Sequence, residues 1–308
     1  MKKTAFIFPG QASQYVGMGK DLYEKYSSVR NVFDRANDIM GFDLKRVCFE
    51  GPEEELKKTY ITQPAIFVHS VAVFQILREK GVQTAGVAGH SLGEYSALVA
   101  AGSLSFEDGL RLVKERGRLM YEAGRQQSGT MAAIIGLSPE QVYAICEEIN
   151  ASGIVQPANF NSPGQIAISG DVESVHKAII KAKEAGAKKA VELVVSGAFH
   201  SPLMASAQQG LKKVLDETEI KEACVPLYSN VEAQAVREAS KIRQLLYEQL
   251  TKPVLWQSLI ENMIKDGFEQ FFELGPGKVL RGLHKRIDRS SPCLEIGTVE
   301  NLEKTGDF

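Results

Sequence analysis

The sequence predicts an α/β protein in which a large unit is interrupted by a small ferredoxin-like unit of βαββαβ order. Three observations carry that reading. A short apolar strand, TAFIF, runs directly into the Gly/Pro turn PGQASQ at the N-terminus. A strand, a glycine-bounded turn and a helix follow one another again around residue 90. From about Ser128 to Ser196 the rhythm changes to strand, helix, strand, strand, helix, strand, which is the split βαβ arrangement. The expected boundaries are residues 1–127 and 199–308 for the large unit and 128–198 for the small one.

Each element has its own signal. After the first turn, a helical pattern runs from about Lys20 to Met40. TQPAIFVHSVAVFQILREKG reads as a long helix with Thr62 as its cap and Gly81 as its stop, followed by the strand TAGVAG. HSLGEYSALVAAG is a helix ended by Gly102. Ser105 with Asp108 three residues on resembles a capping box and opens a helix to about Ala123. In the small unit, GTMAAIIGL, VQPANF, QIAISG and KAVELVV are strands, the middle two around the turn Asn161-Ser162-Pro163-Gly164. SPEQVYAICEEIN and DVESVHKAIIKAKEAG are its helices. The chain returns to the large unit near Phe199 and continues through VPLYSN, a helix near Gln257 and FEQFFELGPG.

Composition narrows the function classes. The 308 residues are 44% apolar, and 36 basic against 38 acidic side chains leave a formal charge of -2, so neither nucleic acid nor a membrane surface is indicated as the main partner. Cys48, Cys146, Cys224 and Cys293 lie far apart with no CxxC pair, which argues against a metal knuckle or redox dithiol and for small buried apolar residues. The first apolar stretch is broken by Pro9-Gly10-Gln11, too early for a signal peptide, and no run reads as a membrane span. A cytoplasmic, monomeric protein with no metal or bound cofactor is expected.

Gly89-His90-Ser91-Leu92-Gly93 fits GxSxG between a strand and a helix, the context of a nucleophile elbow. There the Ser91 hydroxyl leaves the sheet edge, and the backbone N–H of Leu92 faces a developing oxyanion at a helix N-terminus. A serine needs a base, and histidine is the usual one. His176 and His284 lie in helices that suit surface or packing roles, His69 lies in an apolar helix, and His90 belongs to the elbow. His200, in GAFHSPLM at the junction of the two units, is the remaining candidate. No acid between Asp171 and Glu192 suits a triad, and Asp108 is explained as a capping residue, so a Ser/His dyad steadied by a backbone carbonyl or an amide is expected.

Arg116 stands out on its helix. Arg111, Lys114, Glu115 and Arg118 share the polar face, whereas Arg116 falls three and four positions from Leu112, Val113, Leu119 and Met120. A guanidinium on an apolar stripe wants a carboxylate, supplied either by the protein or by a substrate. Gln11 follows the first strand at a glycine turn, where its backbone N–H, its side chain or turn chemistry alone accounts for it. LGPG at 274–277 fits either a ligand approach or a tight turn.

Taken in order, FPGQASQ at 8–14, GHSLGEYSALVAAG at 89–102, Arg116, GAFHSPLM at 197–204 and ELGPGKVL at 273–280 resemble the malonyl-CoA:acyl carrier protein transacylases of bacterial fatty-acid synthesis. The resemblance spans essentially the whole chain. It implies a large hydrolase-like α/β domain with the ferredoxin-like domain inserted. It further implies Ser91 as nucleophile, His200 as base, the N–H groups of Gln11 and Leu92 as oxyanion hole, Arg116 as the malonate-binding group and Gln249, in YEQLTKPVLW, as the residue orienting the histidine. Asn159 faces the cleft by the same likeness, and Met120 or Phe199 sets the wall of the acyl pocket. Malonyl-selecting relatives resemble GAFH here, whereas methylmalonyl-selecting ones carry a serine in place of Phe199. The implied substrates are malonyl-CoA and a phosphopantetheine-bearing acyl carrier protein, an acidic transient partner that lysines and arginines near the cleft mouth, such as Lys188, Lys189 or Arg281, would meet. The alternatives are an acyltransferase serving a polyketide pathway and a serine esterase or thioesterase.

Overall fold

The computed structural model describes residues 2–304. Ten strands form two sheets: β1 Thr4–Phe8, β2 Gly86–Gly89, β3 Gly129–Ile135, β4 Val155–Ser162, β5 Gln165–Asp171, β6 Lys189–Glu192, β7 Leu227–Tyr228, β8 Ala235–Val236, β9 Gln270–Leu274 and β10 Cys293–Ile296. The larger sheet has the order β10-β9-β1-β2-β7-β8 and is parallel except for the last pair. Its central strands read as unbroken apolar runs because both faces are covered: Ala5, Phe6, Ile7 and Phe8 of β1 are all fully buried. The smaller sheet, β4-β5-β3-β6, is wholly antiparallel. Its helices Pro139–Ile149 and Val172–Glu184 pack with it around a separate apolar cluster that includes Ile134, Val142, Ile168 and Val175. In chain order this is the expected βαββαβ arrangement.

The helix Thr59–Glu79 is buried nearly all round, as a helix without a polar face must be. By length and composition it is apolar enough to cross a membrane, but 89% of that apolar window is buried inside the fold. It starts earlier than the Thr62 cap predicts. Thr62 lies inside the helix, and so does Pro64, whose missing N–H leaves one i to i−4 hydrogen bond unmade. Gly81, at φ 76°, ends it as predicted.

Other differences are local. The pattern from Lys20 to Met40 divides into helices Lys20–Lys25 and Ser27–Met40, and the short helices Leu44–Glu50 and Glu53–Leu56 have no counterpart in the sequence reading. Ser105 does cap its helix, accepting from the Asp108 N–H at 3.0 Å, but a reciprocal capping box forms instead at Ser138 and Gln141. β4 runs on through Ser162, so its turn into β5 is shorter than expected. Cys48, Cys146 and Cys293 are buried, whereas Cys224 is exposed.

The small sheet meets a segment of the large unit along one flank. Phe160 N–H donates to Val254 O at 2.9 Å, and Val254 N–H donates to Ala158 O at 2.8 Å, so β4 pairs briefly with the segment leading into helix Trp256–Lys265. Register shifts at Pro157/Asn159 and Phe160/Ser162 mark irregularities in β4 at that point. The cleft lies between these layers, beyond the carboxyl ends of β1 and β2, where ligands of open parallel sheets collect.

Candidate active site

A cleft of about 840 Å³ opens here, lined among others by Gln11, Ser91, Leu92, Arg116, Phe199 and His200. Met120 and Asn159 also line it. The structure therefore brings together eight of the nine residues singled out in the sequence at one cavity, and the ninth, Gln249, lies directly behind it.

Ser91 ends the turn after β2 at φ 50°, a left-handed conformation that costs a non-glycine residue about 1–3 kcal/mol. The motif glycines explain how the turn packs. A Cβ on Gly89 would come within 1.9 Å of the Gly93 carbonyl carbon, and one on Gly93 within 2.0 Å of Phe8 O. Asn230, at the end of β7, clamps the same turn: its Oδ1 accepts from the Ser91 N–H and its Nδ2 donates to Gly89 O, both at 2.6 Å. Sequence reasoning missed Asn230, whose sole signal was its place as the last residue of VPLYSN.

His200 also has positive φ, 58°. Its Nδ1 is 2.7 Å from the backbone oxygen of Gln249, an acceptor, so Nδ1 carries the proton and Nε2 is free to accept. Ser91 Oγ lies 2.8 Å from Nε2 and donates to it. The dyad is thus steadied by a backbone carbonyl. Burial, and then the Arg116 charge, push the His200 pKa down to about 3, which keeps the ring neutral and basic in form at neutral pH. Gln156 on β4 donates to His200 O at 2.8 Å and to Thr251 O at 3.1 Å, tying His200 to the small sheet and to the segment after helix Ala239–Glu248.

Arg116 is fully buried. Its Nη1 donates to Gln63 Oε1 at 2.7 Å, and its Nη2 to Gln249 Oε1 and Ser91 Oγ, each at 3.0 Å. Tyr95 lies beneath the guanidinium, 5.6 Å from its ring centroid. Among the described residues no carboxylate forms an ion pair with it. The polar-face residues expected on its helix do pair outward: Arg111 with Asp108 and Arg118 with Glu115 and Glu122. Burial lowers the Arg116 pKa from its ordinary value, and neighbouring Tyr95 and Glu94 oppose that shift.

Around these groups lie others, several of which the sequence did not single out. His90 Nε2 is 2.8 Å from Asn161 Oδ1, which links the elbow to β4. Gln63 supports Met120 as well as Arg116, donating to its sulfur at 3.4 Å. Glu94, 1% exposed, is pushed up to about 7 by burial, against hydrogen bonds from Gln249 and the Asn230 backbone and the Arg116 charge. The Gln11 side chain turns to Thr59 Oγ1, 3.5 Å away. Neither the Gln11 nor the Leu92 backbone N–H donates to a protein acceptor among the described residues. Of the other histidines, His69 and His284 are buried away from the cleft, and His176 pairs with Glu192 on the surface. Lys188, Lys189 and Arg281 are not among the cleft-lining residues; Lys57 and Lys58 are.

The arrangement provides a serine nucleophile with a neutral base, two free amide donors and a buried cation beside the nucleophile, all of which suits acyl transfer from a donor bearing a carboxylate. The acyl transferase domain family matches residues 5–303. The malonyl CoA-acyl carrier protein transacylase of Bacillus subtilis is 46% identical over 304 residues, covering 98% of this chain and 96% of its own length. That of Escherichia coli K12 is 44% identical, with 93% of each chain covered. Among solved structures, an acyl carrier protein S-malonyltransferase from Vibrio cholerae superposes with a TM-score of 0.96 at 42% identity, covering 98% of this chain and 99% of the other. A malonyl-transacylase solved in complex with a type II polyketide synthase acyl-carrier protein gives 0.95 at 42% identity, with 98% of each chain covered.

Proposed function

The chain belongs to the acyl transferase family and, within it, to the malonyl-CoA–acyl carrier protein transacylases, and on that premise we propose how its residues carry out the reaction. It is an acyltransferase that moves a malonyl group from coenzyme A to the phosphopantetheine thiol of an acyl carrier protein, in support of fatty-acid synthesis.

Ser91 Oγ attacks the malonyl thioester carbonyl while His200 Nε2 takes its proton, and the tetrahedral oxyanion is held by the N–H groups of Gln11 and Leu92. The C–S bond breaks, His200 returns the proton to the coenzyme A thiolate, and a malonyl ester stays on Ser91. The carrier protein's thiol then gives its proton to His200, attacks the ester and leaves as the malonyl thioester, with the proton returned to Ser91. Gln249 orients the base through its backbone carbonyl, and its side chain serves Arg116. Arg116 holds the malonyl carboxylate, Met120 and Phe199 wall the acyl pocket, and Asn159 lines the approach. Neither half-reaction requires a metal or a bound cofactor.

The single observation that supports this reading is the contact set of Arg116: a buried guanidinium beside Ser91 with no carboxylate paired to it among the described residues. A hydrolase of neutral esters has no use for such a group. The polyketide alternative keeps the same chemistry and differs only in the carrier protein; it draws support from the type II polyketide relative. As to organisation, the two sheets support a large domain of residues 1–127 and 199–308 with an inserted domain of 128–198. We further infer a cytoplasmic protein that acts as a monomer and meets its carrier transiently.

Intact-protein mass spectrometry after brief mixing with malonyl-CoA, followed by holo carrier protein, tests the function. A malonyl adduct on Ser91 that the carrier removes is the expected result. An adduct lost equally fast to water would make the protein a hydrolase.

A further inference from the structure

Glu94 is a buried acid that the mechanism above does not use. It follows the GxSxG turn directly, in the first turn of helix Gly93–Ala100. Its Oε2 accepts from Gln249 Nε2 at 2.5 Å, and its carboxylate also takes the Asn230 backbone N–H. No ion pair joins it to a lysine or arginine among the described residues, although it lies near enough to Arg116 for the two charges to interact.

These contacts decide which way the Gln249 amide faces. Its Nε2 lies between two acceptors, Glu94 Oε2 and Ser91 O, the latter at 3.0 Å, while its Oε1 receives Arg116 Nη2. Turned over, the amide would set its oxygen against a carboxylate and a carbonyl, and its NH2 against a guanidinium. Arg116 is consequently gripped by two neutral amide oxygens, those of Gln63 and Gln249. A carboxylate in the position of the Gln249 oxygen would form the charged pair that a ligand's carboxylate needs.

We propose that Glu94 is a positioning residue for substrate selection, holding the Gln249 amide so that neutral oxygens fix Arg116 and its charge stays open to the malonyl carboxylate. The acid that helps to balance a buried guanidinium is kept one amide away from it. This rests on the reading of Arg116 as the carboxylate-holding group.

The test compares malonyl-CoA with acetyl-CoA as donor to holo carrier protein, in the wild type, E94Q, R116A and the double exchange Glu94→Gln with Gln249→Glu. E94Q should lower the malonyl-over-acetyl preference about tenfold, through KM for malonyl-CoA more than through kcat. The exchange keeps the size and total charge of the pair but sets a carboxylate on Arg116, and should remove the preference as fully as R116A does. It also decides the matter if E94Q does not fold. Equal losses for both donors in E94Q, or a wild-type preference in the exchange variant, would overturn the proposal. Equal losses for both donors in R116A would instead overturn the reading of Arg116 on which it rests.

Discussion

The turns that carry Ser91 and His200 share a backbone conformation and differ in what enforces it. Both residues are non-glycine at positive φ, 50° and 58°. The serine turn is shaped mostly from within, by two glycines that let it press against β1, with Asn230 as the outside clamp. The histidine turn is shaped from outside: the Gln249 carbonyl, 49 residues downstream, holds its ring, and the Gln156 amide, 44 residues upstream, holds its backbone oxygen. Strain at Ser91 is thus mostly a property of five consecutive residues, whereas strain at His200 is a property of the assembled fold.

Substitutions can break or sharpen that contrast. Ser91→Ala should abolish the malonyl adduct entirely without unfolding the turn, because the hydroxyl is not among the groups that shape it; mass spectrometry reads the adduct and thermal unfolding the fold. Asn230→Ala should cost about 1–3 kcal/mol of stability by leaving the Ser91 N–H and Gly89 O unpaired in the interior, with a fall in kcat/KM of about tenfold or more. Gln156→Ala should cost about 1 kcal/mol and less activity, since His200 keeps the Gln249 carbonyl. If Gln156→Ala were the more damaging of the two, the serine turn would be the better supported one. Phe199→Ser tests whether the base turn also carries selectivity: it should improve methylmalonyl transfer relative to malonyl by about 1–3 kcal/mol, measured as a ratio of kcat/KM values. An unchanged ratio would leave the pocket wall to Met120.

The smallest effect is a shift in pH dependence. With His200 lowered to about 3, kcat/KM should show no His200 limb near pH 6.5, and the acid limb that this group sets should lie below that value. R116A removes the second cause of the lowering and should move the limb upward. For stability the sign is set by proton binding. Between the unfolded value of about 6.5 and the folded value of about 3, the unfolded chain takes up a proton that the folded chain refuses, so His200 makes the protein less stable as pH falls through that window.

Legibility followed the same division. Ser91 and Leu92 were readable because strand, turn and helix are contiguous, and Arg116 because a charge on an apolar stripe violates helical periodicity. His200 emerged from the residues by elimination, and Gln249 through family resemblance alone, since the backbone carbonyl it offers leaves no trace in residue type. Asn230, Gln63, Glu94 and Asn161 went unread because each acts across 50 or more residues on a partner in another element, as the 139-residue separation of Asn230 from Ser91 illustrates. In the fold, the βαββαβ order was legible from alternating periodicities. The helices Leu44–Glu50 and Glu53–Leu56 were too short to show one. The Thr62 cap failed because packing of an all-apolar helix outweighed the local signal.

The main-chain bonds between β4 and Val254 bear on traffic. They pin β4 to the segment before helix Trp256–Lys265 beside Asn159, which lines the cleft. On the proposed mechanism, donor and acceptor would each bring a long thiol arm past that pinned flank to Ser91, one after the other. Architecture alone would then impose the alternation of the two substrates, whatever the relative speeds of the chemical steps.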